Sequence, residues 1–496
     1  MIKFIRALLL LLTSLGCVPG AVAGPTPTPL SGQWKGPLKV LGGEITLVIT
    51  IVPLSNGSYY AALDAPQQRI SRMPVEVELK GTDLTLRIAQ AGSHFEGKVL
   101  DDGASLSGTW TQPGLTAPLV LVRAVASKQA ATRLRAAPPY RESDVSFLNT
   151  TTRHHLSGTL TVPAGEGPFP AVVLLSDLGP QGRDSEVSGY RMFGQLADYL
   201  TRHGVAVLRF DDRGVGRSEG TYATATTADL VTDAQAAVAC LRAQPLVARG
   251  RVGLLGHGEG ANVALLAAGA PGRAPAFVVS LAGYGEPGSL VLRHQQGEIM
   301  RLIGADPAQV KAAQSAFERT VYFVRQTPDN AVARTKVAAL LSGANTGIDA
   351  PMARARAAQL TSPWSRYFFD FDPLGRLAQV QCPVLLLNGT DDLQVSARQN
   401  MTPLLRALRR AHRPATARRL EGVNHLFQAD PEEWPVVDGN QQPTFAPDAL
   451  QAISAWVALQ TAPPGAPLPV TVKRPAPQKS VRYGGRPRGV AAATGR

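Results

Sequence analysis

The sequence predicts an α/β protein with a helical cap, preceded by a small all-β domain that is either a barrel or a sandwich. Between residues 30 and 124, seven short alternating strand patterns follow one another, separated by Gly, Asn and Asp. From 144 to 460, apolar strands alternate with helices, a texture typical of a mainly parallel sheet covered on both faces. A long helical stretch, about 286–371, interrupts this alternation, and we interpret it as a cap over a pocket.

The all-β segment carries two similar stretches, one at each end. "SGQWKG" contains Trp34 and "SGTWTQ" contains Trp110. Either these are the first and last strands, which meet to close a barrel, or the similarity is a coincidence among alike strands. Residues 125–143, polar and rich in Ala and Arg with two prolines, predict a linker to the α/β domain.

The first 23 residues predict a secretory signal peptide. Two basic residues precede an apolar run, and Ala21–Ala23 supplies the small residues of a cleavage site. The alternative is a lipid anchor on Cys17, but Ser14 stands where such motifs have a branched apolar residue. The sequence therefore predicts a secreted or periplasmic protein, with lipid anchoring as the alternative. No other apolar run reaches the length of a membrane-spanning helix, so no span is predicted.

The formal net charge of +13 comes mainly from the C-terminal segment. Residues 461–496 contain seven Lys or Arg and no acid, so the net charge without them is +6, and it is +4 without the two basic leader residues as well. We expect this Pro- and Gly-rich basic tail to be disordered and predict no nucleic-acid partner. Either the tail is a solvated end without function, or it binds weakly to anionic polymers of the cell envelope. We interpret Cys240 and Cys382 as small core residues. The sequence predicts neither a metal nor a cofactor.

The stretch "RVGLLGHGEGANVALLAAG", residues 251–269, carries the strongest chemical signal. It predicts a strand, a sharp glycine turn and a helix, and in serine hydrolases such a turn spells G-x-S-x-G with the nucleophile at its apex. Here Gly258 stands at the apex. A plain strand–helix turn that needs glycines is the alternative, and a dinucleotide-binding turn is excluded by the spacing of the glycines.

Two later strands end in residues that suit the same chemistry. Asp391 and Asp392 follow one apolar strand, and His425 follows the next. The order of apex, acid and histidine along the chain is that of α/β-hydrolases. An acid in a loop is usually a solvated turn residue, but the three features on three successive strand ends support one another.

On these motifs the chain from 142 to about 460 resembles secreted bacterial α/β-hydrolases of the serine esterase and serine-aminopeptidase-like group, close to the EstD-type esterases. The resemblance implies the α/β-hydrolase fold, a carboxylic-ester hydrolase class and a small-molecule ester or peptide-like ligand. The other stretches that carry it are "GPQGRD" (179–184), "FDDRGVGRSEG" (210–220), "SPWSRYFFDFDP" (362–373), "LNGTDDLQV" (387–395) and "GVNHLFQ" (422–428).

The resemblance implies a role for each matching residue. Gly258 occupies the nucleophile position, where the serine is missing; Asp392 matches the acid and His425 the base. The oxyanion hole would use the backbone N–H groups of Glu259 and Leu178. Neither the Glu259 side chain nor Ser280 has the position that a substitute nucleophile requires.

The oxyanion loop also departs from the family. Where the family tends towards S-G-S-G, this chain has Ser-Asp-Leu-Gly at 176–179. A carboxylate at Asp177 would disfavour a developing oxyanion if it points inward. Asp212 and Arg213, in the "DDRGVG" stretch, match scaffold positions that tie loops together.

Four hypotheses follow, and whether the protein is an enzyme stays open among them. The first is a pseudoenzyme with a capped pocket that binds acyl or peptide-like ligands. The second is a weak esterase that uses water activated by His425 and Asp392, in the space that the missing hydroxymethyl group leaves. The third is that position 258 is serine and the glycine a sequence error. The fourth is a cell-envelope binding protein that uses the β domain and the tail. The aromatic residues of the cap suit either an acyl group or cap packing; they are Trp364, Tyr367, Phe368 and Phe369.

Overall fold

The computed structural model describes most of the chain between residues 30 and 462. The described ranges are 30–40, 43–53, 59–65, 70–88, 91–124, 138–187, 189–270, 274–302, 304–343, 350–437 and 440–462. The predicted signal peptide, residues 125–137 of the predicted linker and residues 463–496 of the predicted tail lie outside them.

The N-terminal part is a closed antiparallel barrel of eight strands, which confirms the all-β prediction and selects the barrel over the sandwich. Strands β1, β5 and β8 alternate between more and less buried residues, as β1 does from Trp34 to Leu38, so one face of each of these strands fills the barrel interior. Residues 61–65 of β3, by contrast, are all buried. The strands are β1 (Gly32–Val40), β2 (Gly43–Pro53), β3 (Tyr59–Ala65), β4 (Ile70–Lys80), β5 (Asp83–Ile88), β6 (Ser93–Val99), β7 (Ser105–Gln112) and β8 (Leu115–Arg123).

The barrel closes between its first and last strands, but only one of the two similar stretches takes part. β1 pairs antiparallel with β8, with Trp34 opposite Arg123. Trp110 lies on β7, the last strand but one. The prediction that both Gly-x-Trp strands meet at the closure was therefore wrong for the second. Trp34 is fully buried at the closure, and its indole N–H donates to Leu30 O at 2.9 Å.

The second part is built on an eight-stranded sheet in the order β18-β17-β16-β15-β11-β14-β10-β9. Pairing is parallel from β18 to β14, whereas β10 and β9 are antiparallel additions at one edge. Its strands are β9 (Tyr140–Asn149), β10 (His154–Pro163), β11 (Phe169–Leu175), β14 (Ala206–Phe210), β15 (Val247–His257), β16 (Val278–Leu281), β17 (Val384–Gly389) and β18 (Ala415–Leu420). Two short hairpins, β12 (Glu186–Val187) with β13 (Tyr190–Arg191) and β19 (Val436–Val437) with β20 (Asn440–Gln441), lie in its loops.

Helices cover both faces of this sheet, and each face has its own apolar core. Phe193 and Phe277 lie in one core, and Leu241 and Leu254 in the other. Because the central strands are buried on both faces, they read as continuous apolar runs rather than alternating ones. The covering helices are α1 (Met192–Arg202), α2 (Thr227–Ala243), α3 (Glu259–Ala268), α9 (Ala397–Arg410) and α10 (Pro447–Thr461).

In the part of the chain that the structure describes, five helices inserted between β16 and β17 form the cap. They pack around a small core of their own that contains Phe317 and Phe369. The helices are α4 (Gly288–Leu302), α5 (Pro307–Gln326), α6 (Asn330–Ser342), α7 (Ala350–Leu360) and α8 (Pro363–Phe369), with single 3-10 turns later at Leu377–Gln379 and Pro431–Glu433. Among the helices described, none combines the length and apolar character needed to cross a bilayer.

Candidate active site

The glycine turn lies between β15 and α3, above the carboxyl end of the central strand. Gly258 has φ 51° and ψ −115°, a backbone conformation that L-residues rarely adopt. Its N–H donates to Leu281 O at 2.9 Å, which ties the turn to β16. The flanking glycines are required by close packing, because a β-carbon at Gly256 would collide with the Gly260 carbonyl, and one at Gly260 with Leu175 O. The turn thus has the strained strand-to-helix form of a nucleophile elbow.

The predicted acid and base lie together beside this turn. Asp392 follows β17 and His425 follows β18, and the His425 Nδ1 donates to Asp392 Oδ2 at 2.9 Å. The other Asp392 oxygen accepts from the N–H groups of Gln394 and Val395, which holds the carboxylate in place. Both side chains are buried. The neighbouring Asp391 accepts a longer hydrogen bond, at 3.2 Å, from the Thr390 hydroxyl.

The side chain of Asp177 fills the space where an elbow nucleophile would stand. A β-carbon built on Gly258 would lie far inside contact distance of Asp177 Oδ1. Asp177 Oδ2 accepts from His425 Nε2 at 2.9 Å, the contact that a serine hydroxyl makes in a serine hydrolase. The inward orientation that the sequence left as a condition is the one observed. The hypothesis of activated water places its water in the space that this carboxylate occupies.

One predicted oxyanion donor is occupied by the same carboxylate. Glu259 N donates to Asp177 Oδ1 at 2.8 Å, and the Tyr284 hydroxyl donates to the same oxygen at 3.3 Å. Leu178, the source of the second predicted donor, lies in the wall of the adjacent cavity. Tyr284 was not predicted from the sequence, since it follows β16 without a motif.

The charges of the site follow from these contacts. Burial opposes the charged form of His425, but Asp392 and the hydrogen bond to Asp177 outweigh it and raise its pKa to about 10. Burial likewise opposes ionisation of Asp177, yet His425, His257 and the Glu259 N–H hold its pKa well below its usual range. At neutral pH the site therefore contains a buried imidazolium between two carboxylates. An imidazolium has no free lone pair, so it cannot act as a base.

Two further buried groups surround this ion pair. Burial and the nearby His425 charge lower the pKa of His257 to about 4, and its Nε2 donates to His425 O at 2.8 Å. Burial raises the pKa of Glu259 to about 7. Its Oε1 accepts from the Thr227 hydroxyl and the Trp364 indole, which links the elbow helix to the cap.

The loop that carries Asp177 is anchored by the predicted scaffold residues. Asp212 accepts from the Ser176 hydroxyl and from Gln181 N, and the Gln181 amide donates to Asp177 O at 2.9 Å. Arg213 pairs with Asp233 at 2.7 Å on the far side of the same turn. These contacts fix the main chain on both sides of Asp177, so the inward direction of its side chain is built into the loop.

Asp177, His257 and His425 also bring three residues of metal-ligating types together. Their ligand atoms lie within 4.8 Å of one another, and all three residues are buried. The His425 Nε2 is hydrogen-bonded to Asp177, however, and the His257 Nε2 to a backbone carbonyl. We interpret the cluster as an ion pair with a neutral histidine beside it.

A cavity of about 620 Å³ opens on the pocket side of Asp177. Asp177, Leu178 and Tyr284 line one end of it, whereas His425 does not line it among the residues described. Of the four cap aromatics singled out in the sequence, Trp364 lines the cavity. Phe368 stacks on Trp364 from behind, with ring centroids 4.6 Å apart.

The chain matches a family model over its second part. Residues 172–434, more than half of the 496 residues, match the alpha/beta hydrolase family. The chain therefore belongs to this family, which agrees with the sheet order, the elbow and the position of the histidine.

Its sequence is also similar to Esterase EstD of Thermotoga maritima, which confirms the predicted resemblance. The two are 32% identical over 134 residues, which cover 27% of this chain and 32% of the esterase. The chain thus spans about a third of the length of this curated relative.

Two solved structures resemble this chain in part. One is an esterase from Pyrococcus furiosus, at 16% identity and a TM-score of 0.38, covering 58% of this chain and 83% of the other. The second is a puromycin-hydrolyzing peptidase from Mycobacterium tuberculosis, at 17% identity and a TM-score of 0.40. That match covers 83% of this chain and 53% of the peptidase.

Proposed function

We propose that this protein keeps the ligand pocket of a carboxylic-ester hydrolase but forms no acyl-enzyme, so that it binds an acyl-type ligand with little or no turnover. The observation that carries the proposal is the Asp177 carboxylate. It fills the nucleophile position above Gly258 and pairs with His425. Acyl transfer through the elbow needs an oxygen nucleophile and a neutral histidine to deprotonate it, and this site offers neither at neutral pH.

The same contacts argue against strong turnover through activated water. His425 Nε2 carries a proton held by Asp177, and the pKa of about 10 keeps it there over the physiological range. Hydrolases stripped of their triad keep roughly 10³- to 10⁴-fold catalysis over water, from the oxyanion hole and substrate binding. Here the Glu259 N–H already binds a carboxylate, so we expect less than that remnant.

The experiment restores the family pattern at both altered positions. Four proteins are assayed on p-nitrophenyl acetate and butyrate: the parent, Gly258→Ser, Asp177→Gly and the double variant. We expect the parent and Asp177→Gly to stay near background, because neither has a nucleophile. Gly258→Ser alone gains little, because its β-carbon collides with Asp177. The double variant gains at least about 10³-fold, since it has both the serine and a released histidine.

Labelling with a serine-directed fluorophosphonate checks the origin of any activity. The double variant should be labelled, and a Gly250→Ser control, which places a serine on an exposed part of β15 with no neighbour within 4 Å, should not. Ester hydrolysis by the parent at rates comparable to the double variant would refute the proposal. An inactive double variant with intact fold would show that the cavity is not an ester site.

A further inference from the structure

The cavity beside Asp177 is walled by all three parts of the molecule. The hydrolase sheet contributes its loop at Asp177 and Leu178, and the cap contributes helices α4, α7 and α8. The barrel supplies the opposite wall through β3, β4 and β5. The end of α4 reaches the barrel directly, because Ile299 and Leu302 pack against the barrel core. The barrel is therefore part of the binding site.

Arg356, on α7, lies at the barrel side of this cavity. Its side chain is 5% exposed and lines the cavity wall. One of its N–H groups donates to Gln359 Oε1 at 2.6 Å, within the same helix. A guanidinium has five N–H donors, and Gln359 is the hydrogen-bond acceptor that the described part of the chain offers them.

No carboxylate in the described part of the chain is in ion-pair contact with Arg356. The barrel carboxylate that acts on it is Glu76, on β4. Burial raises the pKa of Glu76 to about 7, although Arg356 and Arg87 oppose this, so Glu76 is partly neutral at physiological pH. Burial lowers the pKa of Arg356 to about 10, which still leaves it charged. A charged group so buried is stable only if something compensates it.

The other cations and anions of the wall are already paired. Arg87 binds Glu78 at 2.8 Å, and Glu298 binds Arg301 at 2.5 Å. The wall also contains apolar side chains, among them Leu178, Leu292 and Trp364. A ligand that fills this space would have an apolar middle, one end at Asp177 and one end at the guanidinium.

We propose that Arg356 is an anion-binding residue, and that the pocket takes acyl compounds with a carboxylate at the far end of the chain. A carboxylate matches the guanidinium fork with two parallel hydrogen bonds, which is the strong geometry for such a pair. The barrel thus sets specificity by placing Glu76 and the wall of β4 around this end. The proposal rests on the proposed function in one respect, that the cavity binds an acyl-type ligand.

The test measures binding to the parent protein by calorimetry. The probes are monomethyl esters of linear dicarboxylic acids with six to twelve carbons, beside methyl esters of the monocarboxylic acids of equal length. We expect the charged half-ester of the best length to bind at least about tenfold more tightly than its neutral counterpart. Arg356→Met should remove this preference while leaving the affinity for the neutral ester within about twofold.

Three further variants sharpen the test. Glu76→Gln should raise the half-ester affinity a few-fold, about two- to fivefold, because it removes a competing carboxylate. Arg354→Met removes an exposed cation of the same helix α7 that is not among the residues lining the cavity, and should change the half-ester affinity by less than about twofold. If Arg356→Met does not fold, Arg356→Lys keeps a charge without the fork and should retain only part of the preference.

Equal affinity of the charged and neutral esters for the parent would overturn the anion site but leave acyl binding intact. A preference that survives in the Arg356 variants would also overturn it. Binding of neither ester at any length would refute both the anion site and the proposed acyl-binding function.

Discussion

At the elbow end of the cavity the buried ionisable groups form ion pairs with one another. At the barrel end a buried guanidinium, that of Arg356, has no ion-pair partner in the described part of the chain. Asp177, His425 and Asp392 form a continuous chain of hydrogen bonds, all of them buried. Among the described residues, Arg356 has one neutral hydrogen-bond partner, Gln359, and the carboxyl that acts on it is Glu76, whose pKa is raised to about 7. A paired site holds its own charges in place, and an underpaired one favours a ligand that brings the missing charge. Under the two proposals made above, the elbow end does no chemistry and the barrel end recognises the ligand.

The largest effect is expected from moving the loop that carries Asp177. Gly260→Ala places a methyl group against the backbone carbonyls of Leu175 and Ser176. Because backbone cannot shift cheaply there, we expect a loss of about 4 kcal/mol in the free energy of unfolding, measured by urea titration. Gly250→Ala, on the same strand–helix unit with no neighbour within 4 Å, is the matched control and should change stability by less than about 0.5 kcal/mol. Equal effects of the two would mean that this contact does not hold the loop.

A smaller loss is expected from breaking the ion pair directly. Asp177→Asn removes one of the carboxylates that pair with the buried imidazolium. It should lower the free energy of unfolding by about 3 kcal/mol near pH 5.5. The raised pKa of His425 means that its contribution is complete below about pH 6.5 and is lost as the pH rises towards 10. The lowered pKa of Asp177 makes its contribution complete above about pH 4.

The deficit of Asp177→Asn should therefore shrink between pH 6.5 and 10, and NMR titration should show a lower pKa for His425. Asp391→Asn, next to the acid of the pair, serves as control and should show neither change. A deficit that stays constant up to pH 10 would mean that His425 is neutral in the folded parent.

The smallest effect concerns the barrel end. The pKa of Glu76 is raised to about 7, so the unfolded chain releases this proton first and the group costs stability as the pH rises from about 4.5 to 7. Paired urea titrations of the parent and Glu76→Gln should show that the free energy of unfolding of the parent falls by about 1 kcal/mol more than that of the variant between pH 5 and pH 8. Taking the difference cancels the contribution of His425. A parent that gains stability over this interval would place Glu76 in a close ion pair instead.

The sequence was most informative where local pattern determines structure. The strand, glycine turn and helix around Gly258 and the later Asp392 and His425 follow from short motifs and chain order, and the structure places them together. The α/β class and the all-β domain follow from hydrophobic periodicity. The similarity of Trp34 and Trp110 misled, because register and closure depend on which strands are neighbours and not on their likeness.

The pairing of Asp177 with His425 could be predicted from the sequence only in part. The sequence shows a carboxylate at position 177, where the family tends to have glycine, and no side chain at position 258. Positions 177 and 258 lie 81 residues apart, however, and their contact depends on the direction in which the loop points the Asp177 side chain. Arg356 gave no signal at all, since an arginine on an inserted helix resembles a solvated surface cation. Its burial depends on tertiary packing around helix α7, which no local pattern encodes.

The contact between Asp177 and the position of a β-carbon at 258 also couples these two residues. A serine introduced at 258 would meet the end of the Asp177 side chain, so that carboxylate would have to move. Moving it would break its hydrogen bonds with His425 and with the Glu259 N–H. The residue at 258 and the ion pair at His425 therefore depend on each other, although they lie in different parts of the sequence.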